Sequence, residues 1–202
     1  MTLYDTFASI DSSALGTSIK ESLWLFPAIE AVLVVVLHAA DPLRVRRDTP
    51  ALRMIALGLI GVVSLGTVYS VAMLVHDIIT KYEAGTPAQR LFVGGGIYLM
   101  NILTFAVWFW ELDRGGPAAR ARGTDPFPDF LFAPMTTPEM APKDWEPRFG
   151  DYLYVAFTNA TAFSPTDTLP MTRGAKAGMA LQSAIALIIA ALVVAQAINS
   201  LS

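Results

Sequence analysis

The stretch DYLYVAFTNATAFSPTDTLPMTRGAKAGMALQSAIALIIAALVVAQAINSLS, residues 151–202, decides how this chain folds. Residues 175–198 carry no charge after Lys176. As a helix rising about 1.5 Å per residue, that run crosses a hydrocarbon layer of about 30 Å. The segment before it, 151–164, is aromatic and rich in hydroxyls. Its helical length would be about 21 Å, enough to dip into a bilayer and too little to cross it.

Working outward, the composition fits a membrane protein: 54% of the 202 residues are hydrophobic and 15% charged, with a mean hydropathy of +0.50. Three more apolar runs lie at 23–40, 54–75 and 91–110. The expected fold is therefore all-α and integral to the membrane, with four transmembrane helices plus one short re-entrant or interfacial helix at 151–164. The chain divides into an extramembrane segment (1–22), three spans (23–111), a Pro-rich cytoplasmic loop (112–150) and the C-terminal unit (151–202). Residues 1–22 lack a basic region followed by an apolar one, so they are expected to be retained.

Loop 41–53 holds Arg44, Arg46, Arg47 and Arg53. Positive charge beside short loops marks the cytoplasmic side, which predicts a multi-pass inner-membrane protein with its N-terminus outside. In the first span Glu30 is a possible intramembrane ionisable site, either satisfied by a neighbouring helix or binding a proton or cation. The second span places Gly58, Gly61, Ser64, Thr67 and Ser70 three residues apart, a stripe that lets helices approach closely in lipid. The third contains Gly94, Gly95, Gly96 and Asn101, and ends in Trp108 and Trp110, where an aromatic belt is expected. Residues 115–150 contain seven prolines and read as an extended arm, with FPDFLF against the membrane face and Trp145 and Phe149 as anchors. In the last span, Gly174 and Gly178 form a small-residue packing pair that predicts a homo-oligomer or a place in a larger membrane complex.

Several chemistries have no residues to support them. The chain has no cysteine, so disulfides and thiolate sites are excluded. Its net charge of −3 and lack of a basic stripe give no nucleic-acid partner. His38 and His76 are expected at opposite membrane faces, too far apart to share one ion. No nucleotide, hydrolase or metalloprotease motif occurs, so neither an enzyme nor a cofactor is expected, and the partner expected first is the lipid bilayer.

Two resemblances arise from these residues. The layout of apolar spans, a Pro-rich loop, a DYLYVAFT run and an SPTDT turn resembles an uncharacterised family of bacterial integral membrane proteins, which implies a location and no activity. The segment LYVAFTNATAFSPTDTLPMTRGAKAGMAL is similar to the pore loop and inner helix of two-span potassium channels. That resemblance implies packing roles for Tyr154 and Phe157, a filter threonine at Thr161, a closing aspartate at Asp167 and a turn proline at Pro170. The chain departs from the pattern at Ser164, Pro165 and Thr166, where such a filter has Gly-Tyr-Gly; Pro165, with φ fixed near −65°, cannot copy a glycine there.

The expected function is a channel-like or transport pore built on Thr158, Asn159, Thr161, Ser164, Thr166 and Asp167, with Gln182 and Asn199 behind them. The alternative is a non-catalytic membrane subunit or scaffold, in which the Pro-rich arm and the small-residue stripes are contact surfaces for other proteins. The plainer reading of 151–164 is an amphipathic helix lying on or tucked into the cytoplasmic face, with residues 164–167 capping the last span.

Overall fold

The computed structural model describes residues 50–79, 87–123, 127–162 and 167–199. The expected span 23–40, with Glu30 and His38, and the loop positions Ser164 and Thr166 lie outside the described residues. The elements in chain order are α1 (Pro50–Ile79), α2 (Pro87–Leu112), a 3-10 turn (Asp113–Gly115), α3 (Pro117–Arg122), β1 (Phe130–Phe132), α4 (Ala133–Thr136), α5 (Phe149–Ala162), β2 (Thr168–Pro170) and α6 (Arg173–Asn199).

α2 is the hub, with α1, α5 and α6 all packed on it. Hydroxyls on the small-residue stripe of α1 set the first contact. The Trp108 indole donates to Ser64 Oγ at 2.8 Å, and the Thr67 and Thr104 hydroxyls lie 3.4 Å apart. Pairing 64 with 108 and 67 with 104 makes α1 antiparallel to α2. Ser64, Thr67 and Ser70 also donate to the carbonyls of Ile60, Val63 and Gly66, the usual way a hydroxyl is satisfied inside an apolar helix.

α6 runs antiparallel to α2 as well, and two glycines make the approach possible. A Cβ on Gly178 would sit 3.3 Å from Phe109, and one on Gly94 would overlap a methyl of Val193. Gly178 therefore packs within the protomer, while its expected partner Gly174 is exposed. α5 buries Tyr152, Val155, Ala156, Asn159 and Ala160, the i, i+3, i+4, i+7, i+8 stripe of an amphipathic helix, and lays it against α2 and α6.

Two helical stretches, Leu91–Arg122 and Arg173–Ala195, are long and apolar enough to cross a membrane, and a shorter apolar stretch, Ile60–Ala72, lies in α1. Their outward faces carry Val62, Leu65 and Val68 on α1, Leu91, Phe92 and Leu99 on α2, and Leu181, Leu187, Ile188 and Val194 on α6, all exposed. An apolar surface of that extent is foreign to a water-facing monomer.

The Pro-rich segment folds back on the bundle instead of extending as an arm. β1 pairs antiparallel with β2 in the register Phe130↔Pro170, Leu131↔Leu169, Phe132↔Thr168. Phe130 and Phe132 point inward, with Phe130 4.9 Å from the Phe109 ring and Phe132 5.2 Å from the Tyr152 ring. FPDFLF thus supplies core residues where the sequence suggested a membrane-facing patch. Trp145 and Phe149 do act as anchors, against Phe132 and Trp110 respectively. Trp110 is buried and Trp108 is bonded to Ser64, so both indoles serve the helix interface instead of an aromatic belt.

The two adjacent glycines of α2 provide a check on this packing. Gly94→Ala forces Val193 to move, and a β-branched side chain in a helix has almost no alternative rotamer, so a loss of about 1–3 kcal/mol is expected. Gly95 is exposed, and a methyl group there would meet no atom within 4 Å, so Gly95→Ala is expected to be neutral or to gain up to about 1 kcal/mol of helix propensity. Thermal unfolding of both variants in detergent reads the difference; equal effects would mean that α2 and α6 do not meet at Gly94.

Candidate functional site

The expected pore-like segment is held by two buried polar centres, one at each end of α5. The first forms where α2 stops. Arg114, Gly115 and Gly116 all have positive φ, at 51°, 76° and 97°. At Gly116 a Cβ would lie 3.1 Å from the Glu111 carbonyl, so the consecutive glycines are needed to end the helix this sharply. The turn directs the fully buried Asp113 carboxylate inward. One oxygen accepts from the backbone N–H groups of Asp129 (2.7 Å) and Phe130 (3.3 Å), and the other from the Tyr152 hydroxyl at 2.5 Å. Arg114 Nε lies 3.6 Å from the same carboxylate.

Arg120, on the short α3, completes this centre. Its guanidinium donates to the carbonyls of Trp110 (2.6 Å) and Asp113 (2.8 Å), the latter also accepting the Gly116 N–H at 3.0 Å, so the cation sits at the negative end of α2. It also stacks over the Tyr152 ring, 5.1 Å from its centroid. Burial pushes the Tyr152 phenol well above its ordinary value, the Arg120 charge opposes this, and the Asp113 carboxylate reinforces it. The phenol therefore stays a donor throughout the physiological range. Asp129 ties in α6: its carboxylate accepts from Arg114 N–H at 3.0 Å and from the Thr172 hydroxyl at 2.5 Å. Thr172 in turn accepts from Ala175 N–H at 3.2 Å. The cap of α6 is thus Thr172, not residues 164–167, and Asp167 is exposed.

The second centre locks the far half of α5 to α6. The Asn159 amide donates to the Met179 carbonyl (2.9 Å) and to Gln182 Oε1 (2.8 Å), while Gln182 donates back to the Ala156 carbonyl at 2.8 Å. Ser183 donates to the Asn159 carbonyl, and the Tyr98 hydroxyl reaches across from α2 to the Ala160 carbonyl at 2.8 Å. Both amides are buried.

Of the six expected pore residues, the structure separates three kinds. Asn159 is enclosed in the α5–α6 lock. Thr158 is half-buried and Thr161 exposed on the outer face of α5, with their hydroxyls bonded to the carbonyls of Tyr154 and Phe157. Asp167 is exposed beyond them, and Ser164 and Thr166 lie outside the described residues, as does Glu30. Sequence alone assigns no such role to Asp113, Tyr152, Arg120 or Asp129. The signal it does hold is a charged pair directly before Gly-Gly-Pro at a helix end. Among the described residues, no three His, Asp or Glu side chains cluster as metal ligands would.

Two unfolding measurements test these centres. Asp113→Ala strands several buried donors and is expected to cost about 3–5 kcal/mol, against about 1.5–3 kcal/mol for Tyr152→Phe. Asn159→Leu and Gln182→Leu should each cost about 1–3 kcal/mol, and the double variant clearly less than their sum, because Asn159→Leu strands Gln182 Oε1 and Gln182→Leu strands one N–H of Asn159. Strict additivity would mean the two amides do not pair. No protein-family model matches this chain, and no match was found among curated proteins or solved structures.

Proposed function

We propose that this chain is a multi-pass inner-membrane protein in which α5 and the return to β2 form a re-entrant loop, the wall of a channel-like pore assembled from several copies. One observation carries the reading. α5 begins beside Asp113, through Tyr152, and reaches Tyr98 of α2, through Ala160. The next described element, β2, is again at the Asp113 end, paired with the strand whose N–H groups Asp113 holds. A fourteen-residue helix of about 21 Å enters a layer of about 30 Å without leaving on the far side, and the chain resumes where it went in. Such loops persist in membranes where they are buried in protein or line water.

The outer face of α5, with Thr158, Thr161 and the aromatic rings of Tyr154 and Phe157, supplies the lining together with Asp167; Ser164 and Thr166 belong to the same proposed segment by sequence alone. Copies of the chain meet around these faces to enclose the path. Asn159 is a positioning residue within this design, not a lining one. With Pro165 where a potassium filter has glycine, the pore discriminates by charge more than by ion size, and the Asp167 carboxylate favours cations. α1 begins at the end of the bundle where α2 stops, and the sequence preceding α1 is Arg-rich; by the positive-inside rule that end is cytoplasmic. The loop therefore dips from the cytoplasm, with the N-terminus outside.

The alternative, a non-catalytic subunit or scaffold of a larger membrane complex, takes its support from the closed Asn159–Gln182 lock, which withdraws amides from any lining. Ion flux into proteoliposomes separates the two. Wild-type protein is expected to pass potassium and sodium alike, and Asp167→Asn to lower cation flux several-fold with unfolding unchanged. Liposomes indistinguishable from empty ones for potassium, sodium, chloride and protons would favour the subunit reading. Because the chain lacks cysteine, Arg47→Cys reports orientation directly; labelling only from outside intact cells would invert the topology.

A further inference from the structure

A cavity of about 540 Å³ lies between α1, α2 and α6, closed at one end by Asp129 and Phe130. Phe105, Trp108 and Phe109 make its wall largely aromatic. Most of its polar groups are already engaged: Ser64 accepts from Trp108, Thr67 and Thr104 face each other, and the Asp129 oxygens accept from Arg114 and Thr172. Asn101 differs. It lines the cavity at 0% exposure, and neither its Nδ2 nor its Oδ1 has a hydrogen-bond partner among the described residues.

A primary amide offers two donors and two acceptor lone pairs, and buried polar groups in folded proteins are almost always paired. The Asn101 amide, unpaired among the described residues, is therefore a hydrogen-bonding group that an occupant of the cavity can use. A water molecule occupies only about 30 Å³, and cavities with apolar walls tend to stay dry, whereas about 300–1,000 Å³ is the range of small-molecule sites. Among the described residues no Lys, Arg or His lines the cavity, so an anionic head would find no counter-ion there and would face the Asp129 carboxylate. The flanking Val68 and Leu181 are 58% and 57% exposed, which leaves the cavity open sideways between α1 and α6, toward lipid.

We propose that this cavity binds a neutral single-chain lipid with a hydroxyl head, the chain lying along Phe105, Trp108 and Phe109 and the hydroxyl both donating to and accepting from the Asn101 amide, which turns from its buried position to meet it. The site does not depend on α5 forming a pore, and a protein without ion flux would still bind. Trp108 is the reporter. In nanodiscs holding the full chain, brominated hexadecanol is expected to quench its fluorescence saturably, and Trp108→Phe identifies that component among the four tryptophans. Unlabelled hexadecanol should compete, while hexadecane and ionised hexadecanoate should compete poorly. Asn101→Leu should raise the half-saturating concentration about tenfold, the loss expected for one buried hydrogen-bonded head. Linear quenching without competition, as expected if water or another part of this chain fills the cavity, overturns the proposal. Equal competition by hexadecane also overturns it, and because that arm uses wild-type protein it holds even if the Asn101 variant fails to fold.

Discussion

A carboxylate removed from water must be matched by donors, and the one on Asp113 draws its hydrogen bonds from two stretches of chain remote from its own. The turn after α2 brings it inward, residues 129 and 130 supply two backbone N–H groups, and Tyr152 supplies a hydroxyl from α5. An apolar contact in the same place would tolerate sliding by several ångströms, because burial of carbon has no direction. Hydrogen bonds to a buried charge do not, since a displaced donor leaves that charge unsolvated. The position of α5 along α2 is therefore set at one end by Asp113.

The consequences run along α5. Tyr152 and Asn159 are seven residues apart, so both lie on the same stripe, and each is bonded to a different neighbour: Asp113 at the end of α2, Gln182 within α6. A helix fixed at both ends of one face can present only the opposite face outward. That face carries Tyr154, Phe157 and Thr161, all exposed. The amides of Asn159 and Gln182 thus act on the proposed pore indirectly, by deciding which side chains can reach it.

The long helices are legible in the sequence because apolar length is a local property. The expected runs 54–75, 91–110 and 175–198 fall within α1, α2 and α6, and the expected short helix at 151–164 differs from Phe149–Ala162 by two residues at each end. The arm between them is not legible. β1 and β2 are three residues each, too short for a period, and they exist only because Asp113 and Asp129 hold them to the helix ends. Asn159 reads as a pore-lining residue because polarity in a membrane segment suggests function. Its pairing with Gln182, one amide in each of two consecutive helices, depends on a contact that spacing along the chain does not encode. The small-residue signals split in the same way, with Gly94 and Gly178 under a neighbouring side chain and Gly95 under none.

Arginine shows how a residue can serve a purpose that its place in the sequence does not suggest. By position alone, Arg114 and Arg120 are loop charges marking the cytoplasmic side. Arg120 is instead buried, neutralising the carbonyls at the end of α2 and covering the Tyr152 ring. Its charge stabilises the helix end on which Asp113 depends. The geometry of α5 rests on that cation as well, because the end of the bundle at which Arg120 completes the Asp113 centre is the end from which α5 starts.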